Sequence, residues 1–162
     1  MRYNTIRQLD IANGPGCRVS LFVQGCPFNC PGCFNTVARD FSGGKEFTSQ
    51  TEELILELLK PGHIKGLSIL GGEPFAPQNR GVVLELTKKV KEVYPEKNIW
   101  VWTGYEWEDI WESLSESGVD VLVDGKFVQD LRDPRLQYRG SKNQRVLDVL
   151  KSLSENKPIS II

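Results

Sequence analysis

The chain has almost no net charge: 20 Lys and Arg stand against 21 Asp and Glu, giving −1 at neutral pH. Without a polybasic stretch there is no electrostatic footprint for nucleic acid or for an anionic membrane surface, so neither is expected as a partner. No apolar run approaches the roughly 20 residues of a membrane span. Met1-Arg2-Tyr3-Asn4-Thr5 also lacks the apolar core of a secretion signal. A cytoplasmic location is the expectation. There is no internal repeat and no low-complexity tract, the nearest approach being Ser42-Gly43-Gly44-Lys45. Histidine occurs once, at His63, and no cysteine lies beyond position 33. The 40% hydrophobic and 25% charged content is that of an ordinary globular chain. Its length suits a single domain over residues 1–162 with a full core.

The cysteines that are present are concentrated. Cys26, Cys30 and Cys33 fall in Gly25-Cys26-Pro27-Phe28-Asn29-Cys30-Pro31-Gly32-Cys33-Phe34-Asn35, a C-x3-C-x2-C spacing. In a reducing compartment such clustering reads as metal ligands or redox groups rather than disulfides. Thiolates select iron–sulfur clusters, zinc or Cu(I) over harder ions. A closed structural site takes four protein ligands, so three leave one coordination position open to a substrate or cofactor. Cys17, in Gly14-Pro15-Gly16-Cys17-Arg18, opens an apolar run and is expected to pack. The competing reading is a structural zinc knuckle completed by Cys17 or His63, against which stands the preference of such sites for C-x2-C pairs.

Period and punctuation predict an α/β fold. Strands are expected at Arg18–Val23, Leu67–Leu70, Ile99–Thr103 and Val119–Val123, and helices at Ser49–Lys60, Gly81–Tyr94 and Glu106–Ser117. Leu54, Leu58 and Leu59 are expected to face inward on the first helix, Val82, Val83, Leu86, Val90 and Val93 on the second, and Trp107, Ile110, Trp111 and Leu114 on the third. Lys88, Lys89 and Lys91 are read as solvated, and the tryptophans as core. Strands alternating with helices imply parallel βαβ units, too few here for an eight-fold barrel. Ligands in such sheets sit at the carboxyl ends of the strands. Four motifs fall there: the cysteine loop, Gly71-Gly72-Glu73-Pro74, Thr103-Gly104-Tyr105 and Asp124-Gly125. The paired glycines let backbone approach a ligand closely, and Glu73 is suited to hold an ammonium. Asp124 is either a turn residue or an acceptor for a ligand hydroxyl. Ile6–Ile11 alternates and is expected to pair antiparallel beside the first strand.

The cysteine triad followed by Gly71-Gly72-Glu73-Pro74 resembles the radical S-adenosylmethionine superfamily. Gly14-Pro15-Gly16-Cys17-Arg18 before it and Phe34-Asn35 after it resemble the activating enzymes of glycyl-radical proteins. Trp102-Thr103-Gly104-Tyr105, Val121 to Phe127 and Arg139-Gly140-Ser141-Lys142-Asn143-Gln144-Arg145 resemble the activases of anaerobic ribonucleoside-triphosphate reductase, over residues 3–153 in all. The resemblance implies an incomplete (βα) barrel of parallel strands, with an added antiparallel N-terminal strand. It implies one 4Fe-4S cluster on Cys26, Cys30 and Cys33, and S-adenosylmethionine bordered by Gly71, Gly72 and Glu73 with Asn35, Thr103, Asp124 and Arg139. Arg139, Asn143 and Arg145 are candidates for the adenosyl end or a docking face. The implied reaction is reductive cleavage of S-adenosylmethionine and formation of a glycyl radical on the reductase, with an electron donor such as flavodoxin. A small-molecule catalyst of the same superfamily, akin to the deazaguanine-forming synthase, is the alternative. Two positions depart from common patterns: Gly32, where an aromatic residue usually precedes the third cysteine and Phe34 instead follows it, and Asn13, where Asp often stands.

Overall fold

Residues of high β propensity build the centre of the molecule, which a computed structural model describes over residues 1–33 and 35–162. The aromatic neighbour expected after Cys33, Phe34, lies outside the described residues. In chain order the elements are β1 (Arg2–Asp10), β2 (Cys17–Gln24), β3 (Lys45–Glu46), α1 (Ser49–Leu59), β4 (Ile64–Gly71), α2 (Pro77–Val93), β5 (Asn98–Trp102), α3 (Trp107–Leu114), β6 (Val121–Asp124), β7 (Arg145–Asp148) and α4 (Val149–Glu155). Among the described residues they form one seven-stranded sheet in the order β3-β1-β2-β4-β5-β6-β7. β2, β4, β5 and β6 run parallel, as the alternation of elements predicts. β1 pairs antiparallel with β2, so the N-terminal strand is where it was expected but starts at Arg2 rather than Ile6. β7 adds an antiparallel strand on the far side that four residues are too few to announce. The sheet is open, with β3 and β7 at its ends.

One face of the sheet carries the main core. Val19, Leu21, Leu67, Ile69, Ile99, Val101 and Leu122 meet Ile55 and Leu59 of α1, Val83, Leu86 and Val90 of α2, and Trp107, Ile110 and Leu114 of α3. Burying these aliphatic and aromatic side chains contributes about 1.5–3 kcal/mol each. On α1 the inward row is Thr51, Ile55 and Leu59, while Leu54 faces solvent, because residues four apart share a face. Trp111 is 40% exposed and Val93 44%, so neither joins the core. Lys91 is not a free solvated charge: its Nζ lies 2.7 Å from Asp120 and donates to the Lys97 carbonyl. Thr48 caps α1 in a reciprocal box with Thr51, one residue ahead of the expected start.

The opposite face is polar where β2 begins. Arg18 is fully buried and donates to Ser68 Oγ at 2.7 Å, Asn98 Oδ1 at 2.6 Å and the Leu67 and Asn98 carbonyls at 3.0 and 3.2 Å. Burial pulls its guanidinium down to about 10, with charges on Tyr138, Asp10 and Asp120 opposing. Ser68 in turn donates to the Asn13 carbonyl, and Asp10 accepts from Ala12 N–H, Asn13 Nδ2 and Ser20 Oγ. This network folds the loop at residues 11–16 against the sheet. Arg18→Ala leaves buried acceptors unpaired and a void behind them, and is expected to lower stability by about 3 kcal/mol or more. Urea denaturation measures this, and a loss below about 1 kcal/mol would show that the network is dispensable.

At the β7 end, Asp148 N–H donates to the Ile159 carbonyl and Ile161 N–H to the Val146 carbonyl, so the C-terminal residues cover that edge of the sheet. No helix among the described residues is long and apolar enough to cross a membrane.

Candidate active site

The carboxyl ends of the four parallel strands converge, as their order dictates, and the cysteine loop is fastened to its neighbours through backbone. Gly25 N–H donates to the Ala38 carbonyl at 2.7 Å and Cys26 N–H to the Arg39 carbonyl at 3.1 Å. Gly72 N–H donates to the Val23 carbonyl, and Glu73 N–H to the Gly25 carbonyl at 2.7 Å. A Cβ at position 72 would fall on the carbonyl oxygens of Gly25 and Ala38, so the crossing requires glycine there. Gln24 Nε2 donates to the Val37 and Asp40 carbonyls, and Arg39 donates to Asn29 Oδ1 and the Cys30 carbonyl.

Above this junction lies a cavity of about 560 Å³. Its lining brings together Cys26, Cys30, Cys33, Asn35, Gly71, Gly72, Glu73, Thr103 and Arg139. All four motifs that the sequence places at the strand ends reach it, although from the fourth only Gly125 does. The three thiols are half-buried and free, and burial pushes Cys26 up to about 11, with the charges of Glu73, Cys30 and Cys33 adding and a backbone hydrogen bond from Phe28 opposing. A bound cation therefore has to displace protons from this loop. No three His, Cys, Asp or Glu side chains among the described residues converge tightly enough for a single metal ion. The three cysteines line the cavity, and soft thiolate donors of this kind fit an iron–sulfur cluster.

Cys17 stands at the opposite end of β2, seven residues and about 23 Å of extended strand from Gln24. It packs at the edge of the main core, and His63 is exposed just before β4, also at that far end.

Glu73 is 1% exposed. Its Oε2 accepts from Phe75 N–H at 2.8 Å and Thr103 Oγ1 at 2.6 Å, and its Oε1 from Gly104 N–H at 2.6 Å. Burial raises the carboxyl to about 7, against the lowering effect of those three donors. These bonds tie the glycine loop to the turn after β5, and Glu73 also lines the cavity. Gly104 leaves room for the Phe28 ring, 2.6 Å from where its Cβ would stand. Phe28 also meets Tyr105 edge-on at 4.9 Å and lies 4.6 Å below Lys126 Nζ. Phe28 thus clamps the cysteine loop onto two neighbouring turns, a role its position between two cysteines does not reveal.

Asp124 is held among donors from α3 and β7. It is buried off the cavity, where Oδ2 accepts from Trp107 N–H at 2.8 Å and Arg145 Nη2 at 2.5 Å, and Oδ1 from Arg145 Nε. Arg145 also pairs with Glu108 at 2.9 Å, and Asn143 donates to the Lys126 carbonyl, so both are engaged away from the cavity. Arg139 does line it: Nη1 donates to the Gln144 carbonyl at 2.8 Å, while its buried Nε has no partner among the described residues. Trp100 and Trp107 are buried as expected, but Trp102 lines the cavity and donates from Nε1 to the Tyr138 carbonyl. The sequence reading also missed Arg7, Phe22 and Tyr138. Arg7 lies 4.7 Å over the Phe22 ring, and Tyr138 adopts φ 65°, a conformation rare outside glycine.

An α/β sheet carrying a three-cysteine cavity at its parallel strand ends defines an iron–sulfur protein with a single-cluster domain, and the family model described as "4Fe-4S single cluster domain" matches residues 12–147. The chain is 45% identical over 149 residues to the anaerobic ribonucleoside-triphosphate reductase-activating protein of Vibrio cholerae serotype O1, covering 89% of this chain and 96% of that protein. It is 44% identical over 150 residues to the protein of the same name from Escherichia coli (strain K12), covering 90% and 97%. The same name belongs to a relative from Enterobacteria phage T4, 44% identical over 146 residues and covering 90% and 93%. The chain belongs to the family of anaerobic ribonucleoside-triphosphate reductase-activating proteins.

Proposed function

We propose that the chain holds one 4Fe-4S cluster on Cys26, Cys30 and Cys33, binds S-adenosylmethionine beside it, and generates a glycyl radical on anaerobic ribonucleoside-triphosphate reductase. The observation that carries this is the sharing of one cavity by the three thiols and Gly71-Gly72-Glu73. When bound, the cluster and S-adenosylmethionine supply a one-electron reductive cleavage to methionine and a 5′-deoxyadenosyl radical, which takes a hydrogen atom from a backbone glycine of the reductase.

The protein's part is positioning and exclusion of water. Gly71 and Gly72 bring bare backbone to the methionine end, and Glu73, through Thr103 and Gly104, keeps that backbone fixed. Asn35 borders the cluster side of the cavity. Arg139 offers N–H donors to the far end of the ligand, while Phe22, Trp102 and Tyr138 give apolar walls. Asp124 acts at one remove, by holding α3 and β7. We read the open sheet as an incomplete barrel of the radical S-adenosylmethionine type. The electron comes from a donor such as flavodoxin, in the reducing cytoplasm that keeps the four cysteines free.

The test is anaerobic reconstitution followed by iron and sulfide analysis and paramagnetic resonance with and without S-adenosylmethionine. The expected results are a cluster signal that S-adenosylmethionine perturbs, 5′-deoxyadenosine release, and a glycyl radical when the reductase is added. Zinc without iron, or 5′-deoxyadenosine release with no radical on the reductase, would overturn the proposal.

A further inference from the structure

The two sides of the sheet treat their edges differently. Beyond β7 the backbone of residues 159–161 supplies hydrogen bonds to Val146 and Asp148, and the edge is closed. On the other side β3 pairs with β1 only at Arg2 and Tyr3. From Asn4 to Leu9 the outer edge of β1 has no backbone partner among the described residues, and its polar side chains engage only β2 and, from Arg7, Asp10 of the same strand at 3.9 Å. An unpaired row of N–H and C=O groups is a template for another extended chain unless it is blocked. No proline blocks this one, and its exposed charge, Arg7, turns over the Phe22 ring toward the cavity. Thr5, Gln8 and Leu9 are exposed, Leu9 to 60%, and Ile11 just beyond it to 76%.

The location of this edge selects its occupant. Arg7 from β1 and Tyr138, Arg139 and Gln144 from the segment before β7 line the same cavity, so β1 and that segment border it together. A polypeptide entering between them runs alongside β1. A helix or a small molecule leaves the backbone row unsatisfied, whereas an extended segment pairs with it. Register irregularities flank Thr5-Ile6-Arg7, which confines regular pairing to a short strand.

We infer that the edge of β1 over Thr5–Leu9 receives an extended segment of the protein substrate, which adds to the sheet as a short further strand and is thereby led into the cavity. This deepens the proposed function and rests on the reductase being that substrate. Hydrogen–deuterium exchange of the anaerobically reconstituted full chain tests it. With the reductase present, the amides of Thr5–Leu9 that do not bond β2 should exchange at least about tenfold more slowly, and S-adenosylmethionine alone should not slow them. Leu9→Asp should weaken reductase binding about tenfold or more while leaving reductase-independent 5′-deoxyadenosine release unchanged. If the complex forms and the glycyl radical appears with Thr5–Leu9 unprotected, the edge is not the docking site and only this inference fails. If no complex forms and no radical appears, the proposed function fails with it. Protection that grows with chain concentration in the absence of reductase would assign the edge to self-association and overturn the inference.

Discussion

Alanine at Cys26, Cys30 or Cys33 is expected to reduce iron from four atoms per chain to background after anaerobic reconstitution, whereas Cys17→Ala retains the full complement. A cube held at three corners already lacks one protein ligand, and removing a second exposes half of its irons to solvent and exchange. Neighbours cannot substitute. His63 and Cys17 sit at the far end of the sheet, and Glu73 has both oxygens committed to Phe75, Thr103 and Gly104. Because thiols must lose protons to bind, and burial holds Cys26 up to about 11, assembly should become more favourable as pH rises. Iron and sulfide content with the visible spectrum reads the result. Retained iron in any triad variant, or its loss in Cys17→Ala, would mean the ligand set is misassigned.

What could be read in the sequence was whatever short-range pattern determines. β2, β4 and β5 show as apolar or β-branched runs because both their faces are buried, and α1 and α3 show through four-residue spacing and their caps. α2 shows by spacing alone and begins at Pro77, four residues before its expected start at Gly81, because Ala76 gives no side-chain cap to mark it. Once the order of elements was fixed, the strand ends had to share a mouth, and the cysteines, Gly71-Gly72-Glu73, Thr103-Gly104 and Gly125 were found together there. Trp111 shows the limit of periodicity: it sits one position from Ile110 on a helix of two turns, and only the direction of packing decides which faces in.

The remainder depends on pairings between distant residues. Arg18 reads as an ordinary strand charge until Ser68 and Asn98, 50 and 80 residues away, surround it. Asp124 is ambiguous until Arg145 arrives on β7, a strand four residues long that borrows its stability from β6 and the C-terminal residues. The far wall of the cavity, with Arg7, Phe22 and Tyr138, comes from β1, β2 and a loop with no motif. Its assembly is a product of sheet order rather than of local sequence.

Glu73 carries the second large effect. In Glu73→Ala the Phe75 and Gly104 N–H groups and the Thr103 hydroxyl lose their acceptor in a dry site, at a cost of about 4 kcal/mol or more, a large share of the 5–15 kcal/mol that typical domains have. The cysteine loop, hydrogen-bonded to Glu73 N–H through Gly25, is expected to loosen with it, so cluster retention falls too. Glu73→Gln keeps the shape but turns an amide toward a backbone donor, which should cost less, about 1–2 kcal/mol. It also separates charge from packing. Burial raises the wild-type carboxyl from 4.5 to about 7, so the folded chain keeps a proton that the unfolded chain has released across that interval. Stability therefore falls as pH climbs from about 4.5 to about 7, by about 3 kcal/mol, and levels off above. Urea denaturation of the cluster-free chain at about pH 5 and about pH 8 should show this slope in the wild type and not in Glu73→Gln. Equal slopes in the two proteins would mean that the carboxylate is ionised throughout, its three donors outweighing its burial.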